Sequence, residues 1–526
     1  MRTSFFIHNR SISQYLLIAN CFVAFMYFLW WFDFSHIANP WAYALLFIGE
    51  TYHVFMSFLF WFTVWPSRRS LAIKPAQFSF RYQPSVDIFI TVANEPLSII
   101  RRTVLAAKQQ NYQNKLVYIL NDGYVAGRAD WDRVEMMAQE LDVLCITRRK
   151  PGGAKAGNIN NALLKTNGDI IAIFDADMAP FPNFLSRLVP YFSRSDIGFV
   201  QSPQYYENHE MNDITHASWE QQELFYGPIM RGKDSYNSAF ICGTNVAIRR
   251  TALQSVGGMV EDSITEDFLT SIFIHKQGYK SIYIPEVLAT GLAPEDLMSY
   301  YKQQRRWARG SLEVLFKHNP FFKRGLSMNQ RLQYLSSALY YVSGLIIFID
   351  MMMPLAFLFL GIKPVTTSTI NFAFYFIPFM FLNLLTLYLV SGKNITFRAL
   401  AFSQSSFTLQ LSALFSAIFG LKSAFSITSK KALSGNFAYL SYPHIAYAVL
   451  VVIATGFALH REGLNPSVVT NLAWAFFNIT LFYPFIKASF ASQKEESHVS
   501  KVPFSAQVGS VTEPHPTTDK TVASLS

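Results

Sequence analysis

Two long apolar runs near the N-terminus, residues 15–32 and 41–65, limit what this chain can fold into. Each is long enough, as a helix, to cross a hydrocarbon core of roughly 30 Å. The first lacks a small-residue cleavage site and the second follows closely, so the pair reads as a membrane hairpin and not as a cleaved leader. The turn between them, 33–40, holds no Lys or Arg. Arg2 and Arg10 precede the pair, and Arg68, Arg69 and Lys74 follow it. The positive-inside rule then starts and ends the hairpin in the cytoplasm. Composition agrees. Hydrophobic residues make up 51% and charged residues 15%, against about 25% charged in an ordinary soluble protein. A disordered chain, a coiled coil and an ordinary cytosolic enzyme are excluded. The net charge of +10 suits cytoplasmic loops of a membrane protein, and no nucleic-acid partner is expected. Cys21, Cys145 and Cys242 lie far apart and build neither a disulfide framework nor a CxxC metal pair.

From about 68 to 325 no comparable run is apolar, and about 250 residues suffice for a full soluble core. Apolar spans return at 335–362, 370–390, 443–459 and 468–486. Six spans place both termini inside. The segment 400–425 is apolar but interrupted by Gln404, Ser405, Ser406, Gln410 and Ser412. Arg398 precedes it, and Lys422, Lys430 and Lys431 follow. Basic residues at both ends favour a helix lying in the cytoplasmic interface. The expected plan is a transmembrane hairpin over 1–66 and a cytoplasmic domain over 67–325 with an interfacial helix at about 294–318. A membrane domain follows over 326–492 with an interfacial helix at 399–425. A tail over 493–526, rich in Ser, Thr, Val and Pro, reads as disordered.

The soluble part alternates strands (86–92, 116–120, 143–147, 170–174) with helices (97–109, 130–141, 157–165). This predicts a mostly parallel sheet covered on both faces, with ligands at the carboxyl ends of its strands. Asn94 and Glu95, then Asp122, then Asp175 and Asp177 follow three such ends. Each is an ordinary turn residue on its own. Gathered carboxylates repel, however, and a divalent ion removes that cost. Mg²⁺ or Mn²⁺ is held through one or two carboxylates plus substrate phosphates, which makes Asp175 and Asp177 the candidate metal ligands.

Other motifs each carry two readings. Gly152-Gly153-Ala154-Lys155-Ala156-Gly157-Asn158 lacks the Walker order; it either caps the next helix or brings Lys155 and backbone amides near a diphosphate. Thr265-Glu266-Asp267, taken alone, is an N-cap with an acidic first turn. Gln303-Gln304-Arg305-Arg306-Trp307 is either a solvated basic helix at the membrane surface or, through the flat face of Trp307, a platform for a sugar ring. His209-Glu210 lacks the second His of a zincin. No Ser–His–Asp or Cys–His arrangement suggests itself.

In order along the chain, these stretches resemble the membrane-bound processive family-2 glycosyltransferases, within them the cellulose synthase and curdlan synthase group. The matching residues are Val86-Asp87-Ile88-Phe89-Ile90 leading to Asn94-Glu95-Pro96, Asn121-Asp122-Gly123, and the run from Lys155 to Leu163. Next come Asp175-Ala176-Asp177, Phe240-Ile241-Cys242-Gly243-Thr244, Thr265-Glu266-Asp267 and Gln303-x-x-Arg306-Trp307. Last comes Phe425-Ser426-Ile427-Thr428-Ser429-Lys430, similar to a gating loop at 425–431. The resemblance implies an α/β glycosyltransferase-A (Rossmann-like) cytoplasmic domain inserted in a polytopic α-helical membrane domain. It implies a UDP-sugar donor, Mg²⁺ or Mn²⁺, and inverting transfer to a growing polysaccharide that leaves through the protein's own channel. Asp122 and the Asn94–Glu95 turn would hold the uridine side. Asp175 and Asp177 would hold diphosphate and metal, and Asp267 would be the general base. Gln303, Arg306 and Trp307 would bind the diphosphate and form the acceptor platform. Cys242 and Gly243 would border the acceptor pocket, with Thr265 and Glu266 beside the base. Phe425, Thr428 and Lys430 would cover the nucleotide.

The implied setting is the lipid bilayer of a bacterial inner membrane or plasma membrane, with the catalytic domain in the cytoplasm and room for accessory export subunits. A polar path through the bundle is expected; Asp350, Gln404 and Asn383 are candidates for it or, equally, for helix–helix contacts. Two departures from the pattern stand out. Asn121 replaces the first of the two Asp often found before Gly123, and the acceptor motif reads Phe-Ile-Cys-Gly-Thr where cellulose synthases usually have Phe-Phe-Cys-Gly-Ser. About thirty residues follow the last span, too few for a cyclic-di-GMP-binding domain, so control by that nucleotide on this chain is not expected. The reading that results is a β-glucan synthase (β-1,4 or β-1,3) using UDP-glucose. The alternatives are a hyaluronan- or chitin-like synthase using UDP-GlcNAc, a non-processive transferase acting on a lipid, and a translocator or scaffold with a dead catalytic domain.

Overall fold

The computed structural model describes residues 10–65, 83–392, 395–421 and 435–491. The basic residues at 68, 69, 74, 422, 430 and 431, the gating-loop candidates Phe425, Thr428 and Lys430, and the tail lie outside these. Nine strands are present among the described residues: β1 Val86–Val92, β2 Lys115–Asn121, β3 Leu144–Thr147, β4 Ile170–Asp175, β5 Ala179–Pro180, β6 Ile197–Gln201, β7 Val246–Arg249, β8 Lys280–Tyr283 and β9 Ala289–Thr290. Seven form the main sheet, in the order β3-β2-β1-β4-β7-β6-β8. β1 pairs in parallel with β2 and β4, and β2 with β3, while β7 runs antiparallel to both neighbours. This is a glycosyltransferase-A-like mixed sheet.

Sequence dictates the burial of its centre. β1 (Val-Asp-Ile-Phe-Ile-Thr-Val) is buried at every position, as a strand covered on both faces must be. Ile88 and Ile90 face one core cluster with Ile100 and Val104 of the helix Leu97–Lys108. Phe89 faces the other with Ile159 and Ala162 of the helix Ala154–Leu163. Asp87, the polar exception, is neutralised inside the sheet. Its Oδ2 accepts from the Gly168 amide at 2.7 Å and from Arg250 Nη2 at 2.8 Å.

Among the described residues six helices are long and apolar enough to cross a membrane: Ser11–Trp31, Pro40–Val64, Met328–Leu360, Thr369–Val390, Ala438–Glu462 and Pro466–Phe490. Polar side chains join them in pairs. Asn20 donates to Thr386 Oγ1 at 2.8 Å, and His53 Nε2 meets Asp350 Oδ2 at 2.9 Å. Asp350 is therefore a helix–helix contact. The sheet domain docks on two of these helices. Lys233, buried, points Nζ at Gln333 Oε1 and Ser336 Oγ, both at 3.2 Å, and Thr63 donates to the same Gln333 oxygen at 2.9 Å. Beside it, a Cβ on Gly232 would lie 2.0 Å from the Thr63 carbonyl oxygen, so only glycine allows this approach.

The segment expected as one helix over 399–425 is two, Phe397–Ser405 and Phe407–Ile418. Ser406 interrupts it, with its Oγ bonded back to the Phe402 carbonyl at 2.8 Å. A serine that bonds the carbonyl four residues earlier competes with the helical ladder. The buried His444 meets the Ser405 carbonyl at 2.9 Å, so that oxygen is not orphaned at the break. The helix Leu297–His318 packs on Phe407–Ile418, with Arg305 Nε and Arg309 Nε each donating to a serine there, Ser412 and Ser416, at 3.1 Å. Arg305 and Arg309 are thus packed against a partner helix, and the wholly solvated reading of this basic stretch does not hold.

Candidate active site

Every expected site residue within the described part lines one cavity of about 750 Å³ at the carboxyl edge of the sheet. The ends of β1, β2 and β4 supply Asn94 and Glu95, Asp122, and Asp175 with Asp177. The segment after β3 supplies Lys155, and Cys242 with Gly243 precedes β7. Thr265, Glu266 and Asp267 open the helix Glu266–Lys276, and Gln303, Arg306 and Trp307 come from Leu297–His318.

The β2 end is built by side chains turned toward the backbone. Asn121 is fully buried; its Oδ1 accepts from the Gly123 amide at 2.9 Å and its Nδ2 donates to the Trp131 carbonyl at 3.0 Å. An amide does this work without adding charge, which leaves Asp122 as the single carboxylate of the turn. Asp122 is gripped by Arg148 in a fork, Nε to Oδ1 at 2.7 Å and Nη2 to Oδ2 at 2.6 Å. The same guanidinium donates to the carbonyls of Gly152 and Ala154. Bidentate pairs of this kind fix orientation as well as charge. Arg148 is a site residue that the motifs did not flag. Its only sequence signal was a basic run directly after a strand end. Glu95 Oε2 accepts from the Ala93 amide at 2.7 Å and so shapes the turn that carries Asn94.

Lys155 joins the acids. The helix begins at Ala154, three residues before its expected start, because Gly153 takes the left-handed conformation (φ 63°) just ahead of it. Lys155 then falls in the first turn and its Nζ reaches back to Asp175 Oδ1 and, at 2.7 Å, to the Gly243 carbonyl. Gly243 is itself left-handed (φ 79°), and a Cβ there would sit 3.1 Å from Asp267 Oδ2. So Asp175, Lys155, Gly243 and Asp267 follow one another across the floor. Asp175 is further fixed by Thr244, whose Oγ1 accepts from the Asp175 amide at 2.9 Å. Asp267 Oδ1 accepts from the Phe268 amide at 2.8 Å. The cavity wall also includes Thr91, Met178, Gln204 and Tyr206, none of them singled out by sequence motif.

Charge in this cavity is tuned by burial. Burial pushes Glu266 up to about 7, its neighbour Asp267 pushes the same way, and Lys155 and Arg306 offset part of the shift. Burial raises Asp267 too, against the Phe268 hydrogen bond and the charges of Lys155 and Arg306. Burial alone would lower Lys155; Asp175, Glu266 and Asp267 hold it above its ordinary value. Burial and the Asp267 charge push the Cys242 thiol far up, so it is a neutral wall group and not a nucleophile. Among the described residues no group of three or more His, Cys, Asp and Glu is arranged to hold a metal. Two carboxylates one residue apart, facing an open cavity with cationic side chains, fit instead an ion completed by substrate phosphates.

Two family models match the chain: Glycosyltransferase like family 2 over residues 84–310 and Cellulose synthase over 254–503. A cellulose synthase catalytic subunit (UDP-forming) of Xanthomonas axonopodis pv. citri is 38% identical over 288 residues, 53% of this chain and 38% of that one. Its namesake in Pseudomonas fluorescens is 30% identical over 442 residues, 80% of this chain and 58% of the relative. One from Komagataeibacter xylinus is 30% identical over 463 residues, 85% and 61%. The chain thus spans 38% to 61% of the length of these three relatives. A solved mannosyltransferase of Pyrobaculum calidifontis, in complex with GDP-Man and Mn²⁺, superposes with a TM-score of 0.40 at 15% identity, covering 84% of this chain and 99% of that one. With motifs in family order, a glycosyltransferase-A-like sheet and two overlapping family matches from 84 to 503, the chain belongs to the membrane-bound family-2 glycosyltransferases, in the cellulose synthase group.

Proposed function

We propose that this protein polymerises glucose from UDP-glucose into a β-glucan by inverting, processive transfer and passes the chain across the membrane. The observation that carries the reading is the meeting of Asp175, Asp177, Asp267 and Trp307 in one cavity, in a chain that also carries apolar helices long enough to cross a membrane. Asp122, held by Arg148, and the Asn94 turn bind the uridine side. Asp175 and Asp177 hold Mg²⁺ or Mn²⁺, which when bound screens the diphosphate and stabilises it as a leaving group. Arg306 adds positive charge where negative charge develops.

The acceptor's terminal hydroxyl gives its proton to Asp267 as its oxygen attacks C1 of the glucose. The C1–O bond to the diphosphate breaks in the same step, UDP leaves with the bonding pair, and the configuration at C1 inverts. A sugar hydroxyl is a poor nucleophile. A buried carboxylate with a raised pKa is a better base for it than a solvated one. Trp307 offers a flat face to the chain-end sugar, and its helix runs on against Phe407–Ile418, which favours a product handed to the membrane domain. A lipid acceptor or UDP-GlcNAc fits the same donor chemistry. The relatives' name, cellulose synthase, favours glucose and a β-1,4 linkage over the β-1,3 option.

The test is purified full-length protein in lipid nanodiscs with UDP-glucose and Mg²⁺, followed by linkage analysis of the insoluble product. Polymer with β-1,4 linkages and stoichiometric UDP supports the reading. UDP-GlcNAc as the preferred donor, or a single-sugar product, sinks it. Asp267→Asn should cut turnover by about 10²–10⁴-fold while leaving donor binding.

A further inference from the structure

The chain leaves the helix Leu297–His318 through residues 319–327 and enters the apolar helix Met328–Leu360. This connection is fixed on its inner side. Pro320 and Leu326 are buried, Leu326 in the core cluster that holds Phe268 and Tyr334. Asn319 Oδ1 accepts from the Phe321 amide at 3.0 Å, and Ser327 forms a capping box with Gln330 at the start of the next helix. Gly325 is left-handed (φ 92°). A Cβ there would lie 2.9 Å from Lys276 Cγ and from the Lys276 carbonyl oxygen, so the loop is laid on the stem of Lys276.

The outer side is apolar and basic. Phe322 is 75% exposed, Met328 55% and Phe316 50%. Lys276 and Arg324 are exposed and Lys323 is half-buried, and none of the three has a carboxylate partner among the described residues. Lys317, by contrast, is paired with Glu313. A single exposed apolar side chain needs no explanation. Three along one connection, interleaved with unpaired cations at the mouth of an apolar helix, do. The helix also sets the depth. Met328–Leu360 has 33 residues, about 50 Å of helix. A bilayer with both headgroup layers is about 40–45 Å thick. With Leu360 at the far headgroup layer, Met328 and the connection before it reach the near one.

We propose that the connection 316–328 is a docking surface for anionic phospholipid. Phe322 and Met328 enter the acyl boundary, and Lys276, Lys323 and Arg324 contact headgroup phosphates. Apolar side chains set among cations are the composition that binds a charged membrane surface. The occupant is the bilayer that the next helix is long enough to cross, since loop and helix are continuous. The contact holds the end of Leu297–His318, the helix that carries Trp307, at a fixed height over the membrane.

The test replaces Phe322 with the photoreactive p-benzoylphenylalanine in the full-length protein, in nanodiscs of equal phosphatidylcholine and phosphatidylglycerol. Adducts formed on irradiation are identified by mass spectrometry. Lipid adducts should form, phosphatidylglycerol exceeding phosphatidylcholine by about fivefold or more, the factor one cation contributes at an anionic surface. Lys323→Glu with Arg324→Glu should bring the ratio to unity or below at an unchanged melting temperature. The same probe in place of Leu164, 88% exposed on the sheet domain, should capture no lipid. Absence of lipid adducts at 322, equal capture of the two lipids, a ratio unmoved by the double variant, or equal lipid capture at 164 overturns the surface. No readout here needs sugar transfer, so the docking surface stands or falls apart from the glucan synthase reading.

Discussion

Replacing Gly310 with alanine tests the geometry that brings the acid-bearing helix to the acceptor platform. Gly310 lies on Leu297–His318, one turn past Trp307. A Cβ there would sit 2.4 Å from Thr265 Cγ2, 2.7 Å from its Oγ1 and 2.9 Å from its Cβ. Rotating Thr265 about χ1 moves the first two atoms but not the third, and Thr265 is buried at the start of Glu266–Lys276. Ordinary carbon–carbon contact needs about 3.5–4.0 Å, so one helix must retreat by roughly 1 Å. Two effects compete. Helix propensity alone favours alanine by about 1 kcal/mol, whereas overpacking a tight contact costs about 1–3 kcal/mol. With the clash reaching a buried Cβ, the second wins, and the net is a loss of up to about 2 kcal/mol. Catalysis suffers more, because a misplacement of about 1 Å between reacting groups costs on the order of 10²-fold. Gly310→Ala should therefore melt slightly lower and polymerise about a hundredfold slower, measured as UDP release and radiolabelled insoluble glucan from nanodiscs. A variant that melts higher and keeps full turnover would show that propensity dominates and that the two helices are not locked in register here.

Three further outcomes follow from the same site. Arg148→Lys keeps charge but cannot fork onto Asp122; breaking a buried pair costs about 3–5 kcal/mol, so the KM for UDP-glucose should rise at least tenfold. The double variant with Asp122→Asn should be no worse than either single one, and additive losses would refute the pairing. Asp267 works ionised, and burial raises its pKa, so kcat/KM should fall as pH drops through a value above the ordinary carboxylate pKa of about 4. Glu266 is the member of the pair that the other's charge raises, to about 7, so Glu266→Gln should leave the Asp267 limb in place; a limb already near the ordinary carboxylate value of about 4 contradicts control by burial. Chelation with EDTA should abolish transfer, Mg²⁺ or Mn²⁺ should restore it, and Asp177→Asn should raise the metal concentration for half-activation; full activity in EDTA removes the metal from the scheme.

How much of this was legible in advance follows from range. Strand and turn chemistry are local, so β1, β2 and β4 and the acids after them could be read directly from Val86–Val92, Lys115–Asn121 and Ile170–Asp175. Hydropathy is additive along a helix, so six apolar helices were countable. What failed was decided by partners distant in sequence. The helix at 397–418 reads as continuous because Ser406 is a permissible helix residue. Its break is stabilised by His444, about forty residues on, which meets the freed Ser405 carbonyl. Arg148 sits in a run, Arg148-Arg149-Lys150, where any of the three cations could have turned inward. Only the placement of Asp122 across the β2–β3 register, with Asn121 opposite Thr147, selects the first.

Lys155 shows why such selection bears on mechanism. Its side chain already occupies the space between Asp175 and the Gly243 carbonyl, next to Asp267. A cation there offsets the mutual repulsion of acids that the sheet has gathered at its edge, which would otherwise destabilise the folded site. On the proposed binding of a diphosphate and its ion, Asp175 would gain a stronger partner and the ammonium would turn toward negative charge that was not there before. The glycines at 152, 153 and 243 are what permit this. Each holds backbone at positive φ, so that a short loop can bring the lysine and the carbonyl it bonds within one side-chain length of the base. The same acids and lysine on a loop with β-carbons at those positions would be held apart, and the chain would carry the motifs without the site.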